Sequence, residues 1–476
     1  MAETKDDARR ASLFGALLFV VALVPRLYVA LAWAGEAVWD GHYYDFGARR
    51  IAEGAGYSDD RVIDGVTTWH PWCHYPVGYS AYLAAFYRLF GASMHVAAVV
   101  NACTGAALAV VTWLLARRAF GPRRALVGGA LVALHPGLIL YSALVMTEPL
   151  AAVLTLGAFW IAVRDARKVR GVVLGALVLG VAALVRPQAL LCVPFLALIL
   201  GVRTRDAAAR PSWRKVGAIA LAASAIALVP VLPWTARNCR VMDGCALVST
   251  NGGWNLAIGS FPRATGRFET LRSSDGCRDV TGQVQQDRCW FAYGSDQIRA
   301  RTAWWLSLVP KKLGLTFDHE SFAVEYLHEA RPAAWPEARR AAMRDLTSTF
   351  HRLLVCAAAL GCIAFRLRGV GAAVQGALLL FVGALLYVAV SSASASFWPL
   401  VLVSAIVPWL PLPGRAAWPP ALLLPVALLG TTVVTHAVFF GEDRYHMVVT
   451  PVLCILAAGA LRRGERFTGR REDAKA

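Results

Sequence analysis

Five ionisable side chains stand at the edges of apolar runs: Asp40 in WDGHYYDFGARRIAEGAGYSD, Glu148 in MTEPL, Arg186 in LVRPQ, Arg237 in PWTARN and Arg444 in GEDRYH. A carboxylate screened from bulk water can take a proton as a general base or help hold a divalent metal. Arginine stays charged and grips phosphate oxygens through two parallel hydrogen bonds. An acid and several guanidinium groups at one depth in a bilayer would therefore suit a reaction that moves a proton beside a phosphate. Charged groups in such places are costly, which makes each a candidate by default.

Each candidate has a plainer reading. Asp40, Tyr44 and Ala48 share one face of a short helix by their spacing, yet Glu36, Asp45, Glu53, Asp59, Asp60 and Asp64 crowd the same segment, so Asp40 could be one more solvated acid. Asp45 is a lesser candidate. Glu148, followed by Pro149, suits the first turn of a helix, where capping alone would explain it. Arg186, Arg237 and Arg444 could each snorkel to lipid headgroups; Tyr445 and His446 stand beside Arg444. Asn251-Gly252-Gly253 reads first as a turn, with backbone N–H groups that could bind an anion or sugar hydroxyls. Asp318, His319 and Glu320 look like metal ligands by type, but adjacent residues rarely share one ion, and we read them as structural. Trp39, Trp69, Trp72 and Tyr75 read as an interfacial aromatic belt.

The elements that must position these groups are membrane helices. Of 476 residues, 57% are hydrophobic and only 16% charged, and the mean hydropathy is +0.52; a soluble domain usually carries about a quarter of charged residues. Apolar runs fall near 12–34, 94–116, 124–143, 147–163, 170–185, 187–202, 215–233, 350–365, 371–392, 397–412, 417–440 and 447–461, against about 20 residues needed per span. The first run is longer than a signal-peptide core of about 7–15 residues, so we read it as a membrane helix although Ala32-Trp33-Ala34 resembles a cleavage site. The net charge of +18 does not imply nucleic acid, because many of the bases sit in short connectors. Arg117, Arg118, Arg123 and Arg124; Arg164, Arg167, Lys168 and Arg170; Arg203, Arg205, Arg210, Arg214 and Lys215; Arg366, Arg368 and Arg415; and the tail from Arg462 to Lys475 all fall on one side. That side is cytoplasmic by the positive-inside rule, as are both termini. The preference for Arg over Lys is a composition common in GC-rich bacteria, a hint only; the expected location is a bacterial inner (cytoplasmic) membrane, multi-pass, with the candidate groups on its outer face.

Two long segments lie outside, near 35–95 and 234–349, the first ending in an amphipathic stretch, Ala81 to Phe90, expected along the interface. The expected organisation is a transmembrane core with the first periplasmic loop (1–234), a periplasmic cap (235–349), and C-terminal transmembrane helices with a cytoplasmic tail (350–476). Cys239, Cys245, Cys277 and Cys289 all lie in the cap, where an oxidising compartment permits disulfides. Short spacing favours Cys239–Cys245 and Cys277–Cys289; a zinc site is the rival, but no CxxC pair supports it. Cys73 is left unpaired.

At these residues the chain resembles the integral-membrane GT-C glycosyltransferases, in particular the superfamily of protein-O-mannosyltransferases and the lipid A aminoarabinose transferase. The pieces run in order: Asp40 with Tyr44 and Ala48, YPVGYSAYLAAFYRLFG from Tyr75, Glu148 before a helix, LVRP at Arg186, PWTARN leading to STNGGWNLAIG, and the late GEDRYHMVVTP. In one departure, several relatives carry an Asp-Glu pair where Asp40 is here followed by Gly41. The resemblance implies an all-α polytopic membrane protein, a GT-C-type bundle of about twelve transmembrane helices with a periplasmic cap. It also implies a sugar on a polyprenyl phosphate as donor, moved with inversion to a hydroxyl of a lipid, glycan or protein. Asp40 would be the base, Arg186, Arg237 and Arg444 the phosphate clamp, and Glu148 the group that orients the acceptor or shares a divalent cation with Asp40. Tyr44, Asn251 and His446 would contact substrate. No cofactor is certain; a divalent cation is possible. A flippase or transporter of lipid-linked sugars would use the same arginines but should show mid-membrane polar groups and internal symmetry; a non-catalytic assembly protein is a third reading.

Overall fold

The computed structural model describes residues 5–63, 65–164, 169–201, 213–363, 371–391, 396–413 and 417–461. Asp64 and several of the basic connector residues (Arg167, Lys168, Arg203, Arg205, Arg210, Arg366, Arg368, Arg415 and the tail from Arg462) lie outside the described residues. The chain is a multi-pass helical bundle. Its first half comprises α1 (Lys5–Trp33), α2 (Asp40–Ala52), α3 (Gly78–Phe90), α4 (Met94–Phe120), α5 (Pro122–Leu134), α6 (Pro136–Leu140), α7 (Glu148–Arg164) and α8 (Val169–Val185). A 3-10 run over Pro187–Leu196 leads to α9 (Ala197–Gly201), α10 (Trp213–Leu228) and α11 (Leu232–Val241). The segment expected to form the cap holds α12 (Gly252–Ile258), α13 (Gln283–Ala300), α14 (Thr302–Ser307), α15 (Val309–Phe317) and α16 (Phe322–Ala330). Then come α17 (Glu337–Gly361), α18 (Ala372–Ser391), α19 (Trp398–Ile406), α20 (Pro420–Val438) and α21 (Thr450–Gly459).

Every expected apolar run is helical over most of its described length, but few are straight. Four helices among the described residues are long and apolar enough to cross a bilayer alone: α1 from Arg9, α4, α18 and α20. Two more segments reach the same length only as bent pairs, α5 with Pro136–Ala143 at 54° and α10 with α11 at 55°, which makes six spans if each pair crosses once. The first bend falls at His135-Pro136, where proline disfavours helical geometry in the residue before it and cannot donate into the ladder. That break frees carbonyls at the end of α5, and the buried Arg26 of α1 supplies donors: Nη1 to Ala133 O at 2.7 Å and Nη2 to Val132 O at 2.8 Å. Gly105 of α4 makes room, since a Cβ there would lie 2.7 Å from Arg26 Nε.

Among the described residues, one antiparallel hairpin, β1 (Ser58–Ile63) with β2 (Val66–Pro71), lies between α2 and α3. The sequence reading did not anticipate it. In the cap, Cys239 is bonded to Cys245 and Cys277 to Cys289, while Cys73 is free and buried. The largest core cluster runs from Leu18 and Trp113 through Phe159 and Val355 to Leu453, tying the two halves of the chain into one body.

Candidate functional site

Chain alternation brings four helix ends together. Asp40 opens α2 just after α1, Glu148 opens α7, Arg186 follows α8, and Arg444 lies beyond the end of α20 in a 3-10 turn over Asp443–Val448. Gly41 lets α2 pack closely, since a Cβ there would meet the Tyr326 hydroxyl and the Val145 carbonyl.

Asp40 is gripped from two sides. Tyr75 donates its hydroxyl to Oδ1 at 2.6 Å and Arg444 donates Nη1 to Oδ2 at 2.5 Å. Burial alone would push this carboxyl up; the Arg444 charge and the two hydrogen bonds outweigh it and hold the group below its ordinary value of 3.8. Burial and the Asp40 charge keep the Tyr75 phenol protonated. Burial lowers nearby His74 to about 4, so the imidazole is neutral at physiological pH. Arg444 also faces Glu442, Nε to Oε2 at 2.5 Å, and burial raises Glu442 to about 7.

Arg186 forms the second cationic point. Its Nη2 donates to Oε1 of the fully buried Glu148 at 3.0 Å. Tyr445 lies between the two cations, with its ring centroid 5.5 Å from Arg186 Cζ and 4.9 Å from Arg444 Cζ. Tyr44 sits within the field of Asp40, Glu148, Arg186 and Arg444 together. A cavity of about 660 Å³ opens onto this constellation, lined by Asp40, Tyr44, His74, Arg186, Asn251 and Arg444 among others. Part of its wall is apolar: Val185, Leu191, Leu247, Ile258, Phe439 and Phe440.

Other candidates fall elsewhere. Glu148 is behind Arg186 and does not line the cavity. Arg237 is also off the wall; its guanidinium donates to the carbonyls of Tyr57 (2.7 Å) and Trp72 (3.0 Å), bracing the segment between α2 and α3. His446 is fully buried and turns away, toward Thr316 and Glu320. Asp45 receives Tyr87 and Arg49 and serves packing. Asn251-Gly252-Gly253 is a helix start and not a turn: the N–H groups of Gly253 and Trp254 reach Asp287 Oδ1 at 2.7 and 3.3 Å, which occupies the donors an anion would use. Asp318 and Glu320 diverge, Asp318 accepting from the N–H groups of Phe397 and Trp398, both at 2.7 Å.

Sequence reasoning missed several cavity residues. Tyr75 and Trp72 were expected in an aromatic belt, but Trp72 is buried against Tyr57 and Tyr43 and Tyr75 binds Asp40. His74, Tyr445, Arg278 and Asp287 also line the wall. Adjacency to quoted motifs was a usable signal for His74, Tyr75 and Tyr445; nothing in the sequence singled out Arg278 or Asp287.

Residues 74–235, which carry the Tyr75 stretch, Glu148, Arg186 and PWT, match the family model of dolichyl-phosphate-mannose-protein mannosyltransferases. The likeness to GT-C enzymes expected above is thus also found by that model over about a third of the chain. No curated protein matches the chain. Among solved structures, the chain is similar to the Archaeoglobus fulgidus oligosaccharyltransferase tethered to an acceptor peptide, at 14% identity and TM-score 0.43, over 94% of this chain and 49% of that one. It is also similar to ArnT from Cupriavidus metallidurans bound to undecaprenyl phosphate, at 18% identity and TM-score 0.36, over 93% of this chain and 76% of that one. The chain thus spans about half the length of the archaeal enzyme.

Proposed function

We propose that this protein is a glycosyltransferase that moves a sugar from a polyprenyl-phosphate donor to a hydroxyl acceptor at the periplasmic face of a bacterial inner membrane, with inversion at the anomeric carbon. The observation that carries this reading is the cavity in which Asp40, Arg186 and Arg444 meet beneath one apolar wall. The family model supports it, since its members are described as using a phosphate-linked mannose.

In the proposed step the acceptor oxygen attacks the anomeric carbon and the carbon–oxygen bond to phosphate breaks, its electron pair staying on phosphate. The acceptor proton goes to Asp40. Arg444 and Arg186 stabilise the charge growing on the leaving phosphate. Arg444 has two demands on it, Asp40 and phosphate; as phosphate draws the guanidinium, Asp40 loses part of the charge that depresses it and becomes a stronger base when the proton must move. Glu148 holds Arg186 in place. The prenyl chain would lie on the Leu191, Leu247 and Ile258 wall, where burial gives affinity without selectivity. Each acid already faces a guanidinium, so a divalent cation shared by Asp40 and Glu148 would have to displace Arg186 or Arg444.

A transporter of lipid-linked sugars would also need phosphate-binding arginines. It has no use for a carboxylate held between a phenol and a guanidinium, which favours chemistry. The test is transfer by purified full-length protein in lipid, assayed against a panel of polyprenyl-phosphate sugars. Asp40→Asn should abolish transfer and keep donor binding; Arg186→Ala should lower donor use by roughly 100-fold, the scale of a charge-assisted contact to phosphate. Transfer at the unmodified rate by Asp40→Asn would sink the assignment of the base.

A further inference from the structure

Away from the cavity, distant parts of the chain deliver three imidazoles and one carboxylate to a single buried point. Glu320 comes from the link between α15 and α16, His351 from α17, His446 from the turn after α20, and His135 from the break between α5 and α6. His446 Nε2 is 3.1 Å, His135 Nε2 3.8 Å and His351 Nδ1 3.9 Å from Glu320 Oε2. The three histidines are fully buried and Glu320 is 3% exposed.

Hydrogen bonds fix which nitrogens carry protons. His446 Nδ1 lies 2.6 Å from the Thr316 carbonyl and His351 Nε2 lies 2.9 Å from the Phe317 carbonyl. A carbonyl only accepts, so both nitrogens are N–H donors, and a neutral imidazole has one N–H. His446 Nε2 and His351 Nδ1 therefore turn lone pairs toward the carboxylate, and neither His351 Nδ1 nor Glu320 Oε1 has a hydrogen-bond partner. Converging lone pairs in a dry interior are repulsive unless a cation sits among them. A proton can sit on only one of these atoms; a divalent metal draws on all three. The carbonyl-to-imidazole hydrogen bonds are those that orient metal-bound histidines. His135 differs: its Nδ1 accepts from the Leu138 N–H at 3.4 Å, which leaves the proton on Nε2, facing Glu320 at 3.8 Å without a hydrogen bond.

We infer that Glu320, His351 and His446 form a binding site for a zinc-type divalent ion, distinct from the sugar-transfer cavity. Two nitrogens and one carboxylate oxygen suit zinc, whereas magnesium and calcium favour oxygen alone. Bonds of about 2.0–2.1 Å in a tetrahedron set ligand atoms roughly 3.3 Å apart. The three donor atoms lie within 4.8 Å of one another, so small rotamer shifts complete the site. The ion would cross-link the cap to α17 and to the turn that carries Arg444, two residues before His446. Asp443 anchors the same turn by accepting from the N–H groups of Ser321 and Phe322. The site therefore has a positioning role toward Arg444 and stands whether or not the transfer reading holds.

The test is the metal content of the full-length protein, purified in detergent without a histidine tag and dialysed against metal-free buffer. About one zinc per chain is expected, retained by Asp40→Asn and reduced roughly tenfold or more by His351→Leu and by His446→Leu. Cobalt exchanged into the unmodified protein should give the intense visible absorption of a four-coordinate nitrogen–oxygen site, a readout independent of whether the variants fold. Unmodified protein that takes up no zinc when supplied with it overturns the inference. So does a folded His351→Leu protein that keeps the metal, or a weak six-coordinate cobalt spectrum.

Discussion

At the residue scale, the proposed step turns on one shared guanidinium. Arg444 holds Asp40 ionised in the resting cavity, and Tyr75 completes the grip from the other oxygen. Tyr75→Phe removes a hydrogen bond that lowers the Asp40 carboxyl, so the acid limb of the pH–rate profile should move to higher pH and kcat should fall by roughly tenfold, the worth of a charge-assisted hydrogen bond; an unchanged acid limb would exclude the contact from catalysis. Glu442 carries a different prediction. Its folded carboxyl titrates at about 7, above the ordinary 4.5, so the folded state keeps a proton that the unfolded chain releases. Stability from this group is complete below pH 4.5 and is lost as pH rises through about 7. Glu442→Gln should flatten the dependence of Tm on pH across that window and raise Tm above it, measured by thermal unfolding in detergent. Asp40, Arg186 and Arg444 were legible because a charge at the edge of an apolar run is rare enough to stand out. Tyr75 was not, because an aromatic beside a membrane carries the same signature whether it faces lipid or a carboxylate. His446 has the neighbours of a substrate contact; only the Thr316 carbonyl and Glu320 show that it points inward.

At the element scale, local sequence located the helices and tertiary contacts decided their breaks. The His135-Pro136 bend follows from proline chemistry, yet its stability depends on Arg26, which comes from another helix. The Asn251-Gly252-Gly253 segment reads as a turn from its residues alone and becomes a helix start because Asp287, far along the chain, accepts its first N–H groups. The β1–β2 hairpin was hidden within an acidic loop whose residues lack strand alternation. Close packing at one glycine sets the depth of Arg186. A Cβ on Gly78 of α3 would lie 2.6 Å from the backbone carbonyl of Leu184, at the end of α8. Gly78→Ala must push α3 from α8, at a cost of about 1–3 kcal/mol for an overpacked contact, and should raise KM for donor as Arg186 shifts. Gly157→Ala on α7 meets nothing within 4 Å and serves as the comparison. Equal Tm values for the two variants would show that the helices yield freely there.

At the scale of the whole molecule, the proposal needs the cavity and the basic connectors on opposite sides of the membrane. The fold supplies the internal half of that statement. The cavity collects the C-terminal ends of α8 and α20 and the N-terminal end of α2, while Arg117 and Arg118 close α4, one span beyond the first outer loop. The cap contributes Asn251, Leu271 and Arg278 to the same wall, so cap and cavity must share a compartment, and that compartment must be oxidising if the two cap disulfides form in the cell. A single-cysteine labelling pair tests the sidedness directly. Asp296 on α13 is exposed and holds only an exposed i,i+3 pair with Arg299, and Arg118 is exposed at the end of α4; neither change touches the cavity. In intact cells a membrane-impermeant maleimide should label Asp296→Cys and leave Arg118→Cys unlabelled until the inner membrane is opened, after subtraction of the signal from the unmodified protein, whose free cysteines include Cys103 within α4. The reverse pattern would put the cavity in the cytoplasm, where a prenyl-linked donor on the outer leaflet could not reach Asp40.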